Sequence, residues 1–163
     1  MKLLVIHMII TLVAGYLVFL HTAIRSTAVN ASIVCLLIYF VLWLTSFVYQ
    51  RAYFYKIPKA LILFLYFCKE FIFANLRIAH DIISPRYYMQ PTLVALPLDV
   101  RSDFEITVLA CIITLTPGTL SLDLSPDRRT LYIHALYIPK EGVDKLKYDI
   151  KYGFERRIME LTA

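Results

Sequence analysis

The first 60 residues contain no aspartate or glutamate, although the 163-residue chain carries twelve acids in all. The bases in that stretch are Lys2, Arg25, Arg51, Lys56 and Lys59, so the chain's net charge of +5 arises there, and the other twelve bases stand among all twelve acids. This excludes a basic nucleic-acid face on the later part of the chain, where positive and negative residues balance. Cysteine is scarce too: Cys35, Cys68 and Cys111 lie far apart within apolar runs, with no metal or redox spacing, and are expected to be buried thiols acting as small hydrophobes. No cofactor and no metal is expected. There is one tryptophan and there are only four glycines, with no phosphate-binding loop, dinucleotide fingerprint, internal repeat, heptad seam or low-complexity tract.

What is abundant is hydrocarbon. Hydrophobic residues make up 60% of the chain and mean hydropathy is +0.66, whereas a soluble domain has roughly 45–50% apolar residues. Residues 3–20 form an apolar run long enough for a bilayer core, which needs about 17–25 residues. A signal peptide is the rival reading, with Ser26-Thr27-Ala28 as a cleavage site. Its apolar core is usually about 7–15 residues, so a retained span is favoured. A second span covers 31–49 and ends in an aromatic and basic flank of Trp43, Tyr49, Arg51, Tyr53, Tyr55 and Lys56. Asn30-Ala31-Ser32 matches a glycosylation sequon at the mouth of that span and carries no weight. Because the bases gather after the second span, the positive-inside bias places the N-terminus and residues 51–59 in the cytoplasm.

The third apolar segment, 59–83, admits charge. Tyr66, Glu70, Arg77, His80, Asp81 and Ser84 recur at helical spacing and trace a polar stripe. A helix at the membrane surface or in a groove between partner proteins fits that pattern better than a third crossing, and both readings stay open. Pro85 is expected to stop the helix. Lys69 and Glu70 are the candidates for an ion pathway or a partner contact, since ionisable groups near membrane depth are functional hypotheses by default. A snorkelling lysine and a carboxylate at the headgroup edge are the preferred reading, because one carboxylate makes a poor relay.

Residues 90–163 read as a small α+β unit of order β-α-β-β-α, a truncated ferredoxin-like fold. A strand over 92–100 precedes Ser102-Asp103-Phe104-Glu105, which has capping-box spacing. The helix over 103–115 is apolar nearly all round and is expected to be buried. Thr116-Pro117-Gly118-Thr119 ends it, with Gly118 free to take positive φ. Strands over 119–124 and 130–138 flank a turn at 125–129, and His134, mid-strand among apolar neighbours, reads as a packed imidazole. A helix over 142–161 closes the chain, with Glu141/Lys145 and Lys151/Glu155 pairs on its wet side. The divisions are therefore 1–56 as a transmembrane hairpin, 57–89 as a membrane-associated helix and linker, and 90–163 as a cytoplasmic domain.

The string Ile113-Thr114-Leu115-Thr116-Pro117-Gly118-Thr119-Leu120, followed by Leu131-Tyr132-Ile133-His134-Ala135-Leu136, resembles the E subunit of Mrp-type (Mnh/Pha) multisubunit monovalent cation/proton antiporters. The resemblance extends back through residues 91–97, residues 103–107 and Lys69-Glu70, and departs at Cys111, where asparagine is expected. It implies a bacterial or archaeal plasma-membrane protein whose partners are other antiporter subunits and the lipid bilayer. It also implies that the family positions Thr114, Thr116, Pro117, Gly118, Thr119, Asp123 and His134 are structural. The expected role is accessory and non-catalytic, since no nucleophile or acid–base set stands out. The alternatives are the equivalent subunit of a membrane-bound hydrogenase-type complex and a membrane-tethered binding domain.

Overall fold

The computed structural model describes residues 2–22, 27–84 and 89–163. The expectations for Arg25, Ser26 and Pro85 lie outside these. Helix α1 (Lys2–His21) and helix α2 (Ala28–Tyr49) are each long and apolar enough to cross a bilayer, and they pack on one another. Thr27 caps α2 by accepting from Asn30 N–H, which satisfies one of the donors a helix start leaves unpaired. Helix α3 (Arg51–Ile83) begins after Gln50 alone and carries Pro58 inside it, so residues 51–59 are helical. The chain divides into two compact units, residues 1–58 and 59–163.

In the second unit strand β1 (Thr92–Pro97), helix α4 (Asp103–Leu115), strand β2 (Thr119–Leu124) and strand β3 (Thr130–Ala135) precede helix α5 (Val143–Ile150). A π turn (Lys151–Glu155) then leads into helix α6 (Arg156–Thr162). The sheet order is β1-β3-β2, and both pairings are antiparallel. Strands β1 and β2 thus run parallel with β3 between them, which makes a split β-α-β unit. Rows such as Leu93–His134–Leu120 and Val94–Ile133–Ser121 cross all three strands, and a bulge at Leu122 shifts the register of β2.

Alternation puts Val94, Leu96, Leu131, Ile133 and Ala135 on the buried face, where Leu96, Leu131 and Ile133 join Ile106, Leu109 and Ile113 of α4 and Ile150, Phe154 and Ile158 of the last helices. Leu63 of α3 belongs to the same core, with Tyr66 and Phe67 packed against it. The opposite face of the sheet stays open, with Leu93, Leu120 and Leu122 exposed.

Several expectations require correction. Strand β1 stops at Pro97: Leu98 N–H still bonds Arg129 O in register, but the Asp99 and Val100 N–H groups leave the ladder for the Glu155 carboxylate. Strand β3 stops at Ala135, one residue before a last in-register bond from Leu136 N–H to Gly118 O in the motif turn. Helix α4 is not buried all round, for Phe104 is 65% and Leu115 60% exposed. The thiols are not buried either: Cys35 and Cys68 are half-buried and Cys111 is exposed. The last helix is interrupted by its π turn, which rotates Glu155 from the wet side into the core, where it is fully buried. Lys151 pairs with Asp99 and Lys145 with Asp149, in place of the expected partners.

Candidate functional site

The motif turn is built from its own hydroxyls. Ser102 accepts from Glu105 N–H while the Glu105 carboxylate accepts from Ser102 N–H, closing the capping box that starts α4. A hydrogen bond from the Thr162 hydroxyl, reinforced by the Ser102 and Arg101 backbone, holds the Glu105 carboxyl well below its usual value, at about 2. At the other end of α4 the Thr116 hydroxyl donates to Ile112 O at 2.9 Å. The Thr119 hydroxyl lies 2.7 Å from Ile113 O and 2.9 Å from Thr116 O. These bonds occupy carbonyls that the end of a helix leaves without intrahelical partners. Gly118 has φ +90°, and a Cβ there would meet the Tyr137 ring at 3.1 Å, so glycine is required by both backbone and space. Thr114 accepts from Ser121 N–H, tying α4 to β2.

The turn forms one wall of a cavity of about 160 Å³ whose other walls come from α3 and α5. Tyr66, Glu70, Phe73 and Arg77 line it from α3, together with Thr116 to Thr119, Tyr137 and Asp149. The structure therefore brings Glu70 together with Thr116, Pro117, Gly118 and Thr119. Lys69 pairs with Glu70 at 3.2 Å but points outward, its side chain 59% exposed. Thr114, Asp123 and His134 do not line this cavity. Asp123 is exposed and accepts from the N–H of Leu124, and His134 is half-buried in the Leu93–His134–Leu120 row.

Charges around the cavity are already engaged: Asp149 holds Lys145, and Arg77 stacks over Tyr137 at 5.5 Å. Burial and the Asp81 carboxylate push the Tyr137 hydroxyl up from its ordinary pKa. Arg157 lies 4.1 Å over Tyr66 and donates to the carbonyls of Tyr152 and Gly153 in the π turn. Among the described residues no three His, Cys, Asp or Glu side chains are grouped to hold a metal. The arrangement offers a small, mainly apolar chamber with a few polar groups on its walls and, among the described residues, no nucleophile beside a base.

Two buried polar groups have a place the sequence did not show. Glu155, expected on the wet side of the last helix, is one. The other is His7 in the first unit, 2% exposed, with Nε2 2.6 Å from the Tyr49 hydroxyl and edge-on to the rings of Tyr39, Tyr49 and Tyr53. His7 Nδ1 and the Thr11 hydroxyl, one turn apart, are buried without a hydrogen-bond partner. The available signal was the i, i+4 recurrence of His7 and Thr11 on an otherwise hydrocarbon helix.

Comparison with known proteins agrees with this layout. The family model described as "MNHE: Na+/H+ ion antiporter subunit" matches residues 4–161. The E subunit of the Na(+)/H(+) antiporter of Bacillus subtilis (strain 168) is 38% identical over 113 residues, covering 69% of this chain and 70% of that protein. The E subunit of the Na(+)/H(+) antiporter of Alkalihalophilus pseudofirmus OF4 is 44% identical over 96 residues; the matched stretch is 59% of this chain and 60% of that relative's length. Among solved structures, a chain of the Mrp complex from Dietzia sp. DQ12-45-1b superposes with TM-score 0.48 at 26% identity, covering 61% of this chain and 92% of that one. A chain of the membrane-bound sulfane sulfur reductase, an archaeal respiratory membrane complex, shares the fold with TM-score 0.56 at 20% identity, covering 95% and 98%. With two apolar helices, a split β-α-β sheet and a family match over nearly its whole length, the chain belongs to the family of E subunits of Na+/H+ antiporters.

Proposed function

We propose that this subunit is an accessory, non-catalytic part of a multisubunit complex exchanging Na+ or K+ for H+, and that it supports assembly and stability of the complex. The observation that carries this reading is how the family positions are used. Thr114, Thr116 and Thr119 spend their hydroxyls on backbone groups of a helix end and the strand beside it, and Gly118 serves a positive φ. A turn occupied in this way shapes a surface. Its hydroxyls are committed to the fold rather than to a transported ion.

The apolar surface left after the core has formed supports the same reading. Leu93, Leu120 and Leu122 on the sheet, with Phe104 and Leu115 on α4, are exposed in the single chain, and surface of that kind marks interaction sites. In this reading α1 and α2 anchor the chain in the plasma membrane, Lys69 and Glu70 meet a partner or headgroups, and a truncated ferredoxin-like domain stands in the cytoplasm. The order β1-β3-β2 supports that topology.

Deletion of residues 90–163, with the large antiporter subunit quantified after co-purification on the remaining anchor, tests the role. Loss of the co-purified partner with the anchor still in the membrane is expected. Full assembly around the truncated chain would refute it.

A further inference from the structure

Helix α3 has two apolar faces, and among the described residues only one packs into the core of its own unit. Leu63, Tyr66 and Phe67 pack into or against the domain core, while Leu61, Leu65, Ile72, Leu76 and Ile83 are each more than half exposed. Their spacing of four, seven, four and seven residues sets them on one line opposite Leu63, a span of 23 residues or roughly 33 Å of helix. Soluble surfaces rarely carry a contiguous apolar strip of that length.

We propose that this strip rests on lipid, with α3 lying along the membrane surface and the sheet domain seated on its other side. A crossing orientation is disfavoured by the same residues. The face opposite the strip carries Glu70, Arg77 and Asp81 and is joined to a domain full of polar loops, which would have to enter hydrocarbon if α3 spanned it. Among the described residues only α1 and α2 meet the length and composition of a span.

The occupant is lipid rather than protein for two reasons. First, α3 starts one residue after α2 ends, so the strip is tethered at a bilayer and continues a membrane-embedded stretch of chain. Second, Lys69 fits an anionic headgroup. It stands on the rim of the strip with its side chain 59% exposed and its Nζ 5.4 Å from the Tyr66 ring, whereas Lys59, on the opposite face, is held by Glu160 O. Basic and aromatic groups bordering an apolar face are the pattern of helices that lie in the interface. The inference rests on membrane attachment and is independent of whether the subunit is accessory.

The test places single nitroxide labels at Leu65, Ile72, Leu76 and Ile83 of the full-length chain, its three cysteines replaced by serine. The labelled subunit is assembled in its complex in liposomes, and accessibility to oxygen and to a water-soluble nickel chelate is measured. All four labels should favour oxygen, at one shared shallow depth. Depth that changes steadily along the series, by about 1.5 Å per residue, would show a crossing and overturn the proposal. Shielding of all four from both reagents would assign the strip to a partner protein and overturn it equally. If labelled chains fail to assemble, the unsubstituted complex can be irradiated with diazirine-acyl phosphatidylglycerol and its peptides mapped. Adducts on residues 61–83 are expected, and their absence, with adducts present on α1 and α2, would refute the contact.

Discussion

The Glu155 carboxylate receives the backbone N–H groups of Asp99 and Val100 at 2.6 and 3.0 Å, inside the core and 55 residues away in sequence from the nearer of the two. That bond ends β1, orients the loop into α4 and depends on the π turn that swings Glu155 inward. Single π turns are tolerated where they aim a particular side chain.

Replacing Glu155 by alanine strands the buried Val100 N–H and the part-buried Asp99 N–H. Removing charged acceptors costs about 1.5–3 kcal/mol per bond, partly offset by relief of the unpartnered Oε2. A loss of about 2–4 kcal/mol is expected in thermal unfolding of the full chain in detergent. Unchanged stability would show that the loop holds without the carboxylate.

Gly118 combines positive φ with a crowded Cβ position 3.1 Å from Tyr137. Gly118→Val should destabilise the chain by about 1–3 kcal/mol. Gly142 also has positive φ, but no atom lies within 4 Å of its Cβ position. Gly142→Val should therefore cost less. Equal losses in side-by-side melts would mean that the Tyr137 contact contributes nothing.

Glu105 makes acid sensitivity measurable. Its carboxyl sits at about 2 in the fold against an ordinary 4.5, chiefly through the Thr162 hydroxyl. A lowered folded pKa favours the native state above the unfolded value and loses that contribution as pH falls from about 4.5 through about 2. Thermal stability measured from pH 6 to 2.5 should fall more steeply for the original chain than for Glu105→Gln. Parallel curves would contradict the assignment.

Local chemistry was legible in the sequence. Ser102 and Glu105 announce a capping box at fixed spacing, Pro117-Gly118 announces a reversal, and alternation along 119–124 announces a strand. What stayed hidden depends on tertiary surroundings. The Lys151/Glu155 spacing reads as a wet i, i+4 pair unless the π turn is known. Nothing in the apolar run of α3 says that Leu63 faces a core while Leu65 does not. The uniform apolarity of α4 suggested burial, yet Phe104 and Leu115 stay exposed because the sheet and the last helices cover only one side of it. His7 was passed over because its tyrosine partners lie 32 to 46 residues away.

The central claim is that this subunit shapes and holds the complex while other subunits move the ions, and Glu70 is where that claim is most exposed. Glu70 lines the cavity beside the motif turn and pairs with Lys69. Glu70→Gln keeps the side chain's shape and removes its titration. Antiport in everted vesicles, normalised to assembled complex, is the measurement. A rate within about threefold of the original is predicted, which is under ~1 kcal/mol of barrier. Near-complete loss of exchange with normal assembly would contradict the account and make Glu70 a participant in proton transfer.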